Sequence, residues 1–190
     1  MKKSKLNVLP LRLVAALAML SAISIICGKY LAIRGGDILR FSFENLPIIL
    51  AGYAFGPISG VLVGVVADLI GCVMVGYTVN PIVTLGGAVI GAASGICGIL
   101  LKNTKLSPSL SVIIAVAVSH LLGSVLVKTF GLAAFYDLPL WALMLWRLLN
   151  YIIVGAIECL LIAVLLKNKE ITHLILDIKP KIRRKDTEEK

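Results

Sequence analysis

The stretch Ser59–Gly76, SGVLVGVVADLIGCVMVG, decides how the rest of the chain is read. It is apolar almost throughout, has glycines at regular intervals and carries one carboxylate, Asp68, near its middle. A run of roughly 18 apolar residues is long enough to cross a bilayer as a helix. A carboxylate is costly in lipid and little better placed in a soluble core, so Asp68 needs a partner or a ligand.

Similar runs recur along the 190 residues, of which 59% are hydrophobic and 15% charged, and the mean hydropathy is +1.00. Only helices or closed barrels satisfy their backbones in lipid. The runs do not alternate with period two, which argues against a barrel. The expectation is an all-α membrane protein, a six transmembrane helix bundle. Its spans fall at about 11–33, 46–55, 58–75, 82–101, 110–132 and 140–166, the second of them short. A short amphipathic helix is expected at 171–178. The division is then 1–10 as a cytoplasmic N-terminus, 11–167 as the transmembrane domain and 168–190 as a basic cytoplasmic tail. The basic start followed by an apolar run has no A-x-A site after it and reads as a retained first helix.

The formal net charge is +9, and 14 of the 19 basic residues sit in three places: the front, the Lys102–Lys105 loop and the tail after 166. With six spans all three fall on one side, the positive-inside pattern. This puts both termini in the cytoplasm of a multi-pass membrane protein. It also turns the charge toward topology and lipid headgroups and away from nucleic acid. Enzyme signatures such as H-E-x-x-H, G-x-S-x-G and G-x-x-x-x-G-K-[ST] are absent from the sequence, so no catalytic or nucleotide-hydrolysing role is expected of it. Cys27, Cys72, Cys97 and Cys159 are scattered, form no C-x-x-C pair and read as packing residues, not metal ligands.

Asp68, His120, Arg147 and Glu158 lie well inside the expected spans, with Lys128 near the outer end of the fifth. Helical rise places Asp68, Arg147 and Lys128 in one layer of the outer half, the geometry of a cup open outward. Arg147, Asn150, Tyr151 and Val154 share a face of the last span, and His120, Ser124 and Lys128 share a face of the fifth. Phe41, Phe43, Tyr77, Phe135, Tyr136 and Trp141 lie in or beside outer loops. They are either a stacking surface for a flat ring or an interfacial belt. Asp68 and Arg147 are either ligand contacts or a structural ion pair. His120 is either a ligand or a satisfied bundle histidine, and Glu158 suits a structural or partner role. The ridges Gly60-x-x-x-Gly64 and Gly87-x-x-x-Gly91-x-x-x-Gly95 suit internal helix packing. Ala15, Ala18 and Ala22 form a third ridge that suits either packing or a partner protein.

The run Leu39–Gly71, LRFSFENLPIILAGYAFGPISGVLVGVVADLIG, resembles the substrate-binding membrane subunits of energy-coupling factor (ECF) transporters, and among them the folate-specific type. The resemblance extends through Ala18–Ala22 and the WRLLNY run, Trp146–Tyr151, to about Leu166. It implies a subunit that captures folate or a related pterin on the outer side and releases it inside by toppling in the membrane. The partners it implies are a shared membrane coupling subunit and two ATPase subunits, which hydrolyse the ATP; no cofactor is implied for this chain. It assigns Ala15, Ala18 and Ala22 to docking and the loops at about 34–43 and 76–81 to lids. Asp68 would accept hydrogen bonds from the amino-pyrimidinone edge of the pterin. Arg40, Lys128 or Arg147 would meet the ligand's carboxylates, beside Asn150 and Tyr151, and Phe43, Tyr77 and Tyr136 would sandwich the ring. The outer loops are short, and Lys128 has no matched position in the family pattern. A subunit for another vitamin, riboflavin or pantothenate, and a non-transport membrane scaffold are the competing readings.

Overall fold

A computed structural model describes residues 11–35 and 39–178. The chain runs through α1 (Leu11–Ile25), β1 (Ile33–Gly35), β2 (Leu39–Phe41), α2 (Asn45–Phe55), α3 (Pro57–Val75), α4 (Pro81–Leu101), α5 (Pro108–Ser119), α6 (Lys128–Tyr136), α7 (Leu140–Lys167) and α8 (Lys169–Ile178). A π-helical turn, Ile26–Tyr30, continues α1, and a longer one, His120–Val127, joins α5 to α6 without a break. Among the described residues five helical segments are long and apolar enough to cross a membrane: Leu11–Tyr30, Pro57–Val75, Pro81–Leu101, Pro108–Tyr136 and Leu140–Lys167. The shorter α2 has 11 residues, about 16 Å of helix against a hydrocarbon core of about 30 Å.

The helix starts follow local chemistry. Pro57, Pro81 and Pro108 each sit in the first turn, where a missing N–H costs nothing. Asn80 caps α4 by accepting from the backbone N–H of Ile82 (3.0 Å) and Val83 (3.4 Å). Ser107 does the same for α5 through Leu110 N–H at 3.3 Å. Gly76 ends α3 in the left-handed region at φ 70°, a conformation that favours a residue without Cβ.

Within the bundle α4 is central, packing against α2, α3, α5 and α6. The glycine ridges explain its position. Gly60 and Gly64 of α3 lie against Gly91 and Gly87 of α4, where an added Cβ on Gly60 or Gly64 would run into the facing carbonyl. Internal packing, the reading given by the spacing of these two ridges, is what the structure has. The alanine ridge behaves differently: Ala15, Ala18 and Ala22 are all exposed on α1, while Leu13, Leu17 and Ser21 of the same helix are buried.

Two details differ from the sequence reading. The segment after α1 forms a short antiparallel hairpin, pairing Ile33 with Phe41, Arg34 with Arg40 and Gly35 with Leu39, where a loop was expected. Three-residue strands carry too little periodicity to be seen in sequence. The fifth segment also reaches four residues further, to Tyr136, and its π-helical middle left no signal in composition. The expected amphipathic helix is present as α8, with Ile178 against the core and Leu174 and Leu176 exposed.

Candidate functional site

The hairpin end of the bundle contains two chambers that share a wall. The larger, about 560 Å³, is lined by Ser42, Glu44, Lys128, Tyr136, Arg147, Asn150 and Tyr151, with Val83, Leu132, Leu138 and Leu143 as its apolar surface. The smaller, about 20 Å³, is lined by Ser24, Lys29, Glu44, Asp68 and Lys128, with Gly64 and Gly87 at its edge. Glu44 and Lys128 belong to both.

Lys128 makes that wall. It is only 4% exposed, and its Nζ donates to Glu44 Oε1 at 2.9 Å and to Asn45 Oδ1 at 3.3 Å. An ammonium this deep needs such compensation. Its stem fits because Gly86 of α4 faces it; a Cβ there would collide with Lys128 Cγ. Glu44 and Asn45 stand at the start of α2, held in part by Ser24, whose hydroxyl donates to the Glu44 carbonyl at 2.6 Å.

Arg147, Asn150 and Tyr151 come from one face of α7, as their spacing predicts. Arg147 Nη2 donates to Tyr151 Oη at 3.2 Å, and the guanidinium carbon lies 5.5 Å from the Tyr151 ring centroid. Arg147 Nε is enclosed and has no hydrogen-bond partner among the described residues. A guanidinium offers five donors in a fixed fork, so this one suits an acceptor-rich group in the large chamber.

Asp68 is in the other chamber. Its Oδ2 accepts from the Thr84 hydroxyl at 2.6 Å and its Oδ1 faces the Cys72 thiol at 3.9 Å. Lys29 approaches from α1's π-helical end, with Nζ 3.7 Å from Cys72 Sγ and 5.8 Å from the Tyr77 ring centroid. Asp68 and Arg147 therefore line different chambers, on either side of the Lys128–Glu44 pair.

Of the aromatic candidates, Tyr136 lines the large chamber and is 55% exposed. Tyr77 and Phe43 line neither chamber; Tyr77 is exposed beyond α3 and Phe43 is half-buried just before α2. Arg40 lies on β2, opposite Arg34 in register. His120 and Glu158 meet in the bundle interior, Nε2 to Oε2 at 2.5 Å.

Lys29, Glu44, Asn45 and Thr84 escaped the sequence reading. For Lys29 a signal existed. Apart from the 14 basic residues of the front, the Lys102–Lys105 loop and the tail after 166, the chain has only Lys29, Arg34, Arg40, Lys128 and Arg147. Three of these line the chambers and two sit on the hairpin. Cations that stand apart from the basic clusters of a membrane protein point to local work.

A helical membrane protein with a polar, cation-bearing chamber at one end of its bundle is built to hold a small molecule. The family model for the ECF transporter, substrate-specific component, matches residues 12–166. The chain belongs to that family, which is one of transport components and not of enzymes. Among curated proteins none matches it. It is similar in structure to FolT bound with folic acid, at 23% identity and a TM-score of 0.61, over 77% of this chain and 86% of that one. It is also similar to the S component of a bacterial ECF transporter, at 22% identity and 0.60, over 82% of this chain and 96% of that one. A third likeness is to the S-component for biotin from an ECF-type ABC transporter, at 16% identity and 0.53, over 88% of each chain. At these identities the likeness is one of fold.

Proposed function

We propose that this chain captures folate or a related pterin from outside the cell and hands it to an ECF coupling subunit powered by two ATPase subunits. The observation that carries the reading is the large chamber, where Arg147 and Lys128 stand over Asn150, Tyr151 and Tyr136. Its volume of about 560 Å³ falls within the range of small-molecule sites, roughly 300–1,000 Å³. Arg147 meets a ligand carboxylate there with a charge-assisted bond. Both chambers border Glu44 and Lys128. The donor-rich pterin edge turns toward this wall, with Asp68 behind it, while Arg40, Phe43 and Tyr77 close over the ligand from the loops. The likeness to FolT bound with folic acid supports folate over the other vitamins.

In this reading α2 is a sixth, short membrane segment, and both termini with the α4–α5 loop are cytoplasmic. The exposed ridge Ala15, Ala18 and Ala22 is the docking face for the coupling subunit, since small side chains let a partner helix approach closely. Delivery follows by toppling on that subunit.

Thermal unfolding of the detergent-purified chain with folic acid, riboflavin, pantothenate or biotin tests the specificity. Folic acid is expected to raise the melting temperature and the other three to leave it unchanged. Stabilisation by pantothenate or biotin without folic acid would keep the carboxylate contact and remove the pterin.

A further inference from the structure

The binding chamber does not end at its own lining. Behind it runs a chain of buried polar side chains that the capture reading leaves without a role. Glu158 of α7 is 0% exposed. Its Oε2 is 2.5 Å from His120 Nε2, while its Oε1 has no hydrogen-bond partner among the described residues. His120, 4% exposed, has its Nδ1 3.1 Å from Ser124 Oγ. Ser124 Oγ accepts from Asn45 Nδ2 at 3.4 Å, and Asn45 Oδ1 accepts from Lys128 Nζ at 3.3 Å. A second branch leaves the same imidazole: its ring stacks on Tyr151 at 4.7 Å between centroids and 26° between planes. Tyr151 Oη in turn accepts from Arg147 Nη2. Both branches end on the two cations of the large chamber.

The hydrogen-bond directions are consistent along the first branch. An ammonium has no acceptor, so Lys128 donates to Asn45 Oδ1 and the Asn45 amide donates onward to Ser124. The chain runs in one direction when the Ser124 hydroxyl donates to His120 Nδ1, an arrangement that goes with hydrogen on Nε2. Only an acceptor at residue 158 holds that tautomer, and the Glu158 carboxylate is that acceptor. The ring lies against Gly155, where a Cβ would come to 3.5 Å from His120 Cδ2. Cys159 of α7 lines the same cavity as His120 and Tyr151. Hydrogen bonds linked in series in a low-dielectric interior polarise one another, so a change at one end is felt along the chain.

We propose that Glu158 is a positioning residue for ligand binding: through His120 it sets the tautomer and tilt of the ring that orient Tyr151 with Arg147 and Asn45 with Lys128. This rests on the large chamber being the ligand site. Glu158 itself touches no ligand.

The test is a double-mutant cycle on folic acid affinity in the detergent-purified full chain, with melting temperature read on the same samples. Glu158→Leu removes the acceptor and is expected to weaken binding about tenfold, or about 1.4 kcal/mol. Glu158→Gln keeps an acceptor oxygen and is expected to recover most of that loss. In an Arg147→Ala background the effect of Glu158→Leu is expected to shrink by at least about threefold, because one branch then ends on nothing. If Glu158→Leu does not fold, the same cycle with His120→Gln decides, since it removes the ring through which Glu158 reaches Tyr151 and Arg147. A lowered melting temperature with unchanged affinity, or strictly additive losses, would overturn the relay alone. Failure of the wild-type chain to bind folic acid or any of the other vitamins overturns the capture reading and the relay together.

Discussion

Lys128 Nζ lies 2.9 Å from Glu44 Oε1, joining the start of α6 to the start of α2 across 84 positions of sequence. This pair is the common wall of the two chambers and a load on the bundle, because it keeps an ammonium out of water. Replacing Glu44 by Ala strands that charge. The expected cost is about 3 kcal/mol, read as equilibrium unfolding in mixed detergent. Adding Lys128→Met should restore part of the loss, because the cation that needed compensation is gone. A double variant no more stable than Glu44→Ala would show that Glu44 holds the fold through other contacts.

The α3–α4 contact has no room for side chains at Gly60 and Gly64. Gly60→Val should therefore sharply reduce the yield of folded protein, because its Cβ meets the Gly91 backbone, which cannot move as a side-chain tip can. Overpacking of this kind costs typically about 1–3 kcal/mol and more when backbones clash. Leu62→Val on the exposed face of α3 is the control and should change yield little. Equal yields for the two would argue that the helices separate without penalty.

Topology is tested by cysteine accessibility in whole cells, with the native cysteines replaced. Labels should reach positions 78 and 137 from outside and fail to reach position 104, since Lys102 and Lys105 belong to the basic end. External labelling at 104 in intact cells would invert the orientation.

Ala18 and Ala22 are exposed on α1. Ala18→Trp or Ala22→Trp should abolish uptake and leave folic acid binding nearly intact, because the ring projects away from the chambers. Loss of binding in detergent by either variant would mean that the ridge supports the bundle itself.

Asp68→Asn should weaken folic acid binding by at least about tenfold, or roughly 1.4 kcal/mol. Contact requires the pterin edge to part the Lys128–Glu44 wall and reach the smaller chamber; there the amide replaces an acceptor with a donor and removes the charge that strengthens the contact. The Thr84 hydroxyl still finds an acceptor in the amide oxygen, so the melting temperature should stay close to that of the wild type. Unchanged affinity with lowered stability would assign Asp68 to the wall it shares with Thr84.

The helices and their order were legible because lipid imposes a strong signal. A span must be apolar along its whole length and must satisfy its backbone internally, so length and composition suffice. Placing Arg147, Asn150 and Tyr151 on one face needed only the helical period, and the glycine ridges only their spacing of four. Partnership was a different matter. Asp68 and Arg147 lie at similar depth along their helices, and depth alone brought them into one cup. The rotation of each helix about its axis, and the insertion of Lys128 and Glu44 between them, put them in separate chambers. Nor does spacing reveal that His120 on the fifth segment meets Glu158 on the last, 38 positions away. Local periodicity tells which face a residue occupies and how deep it lies; which faces meet depends on how the helices pack around α4, and only the assembled bundle decides that.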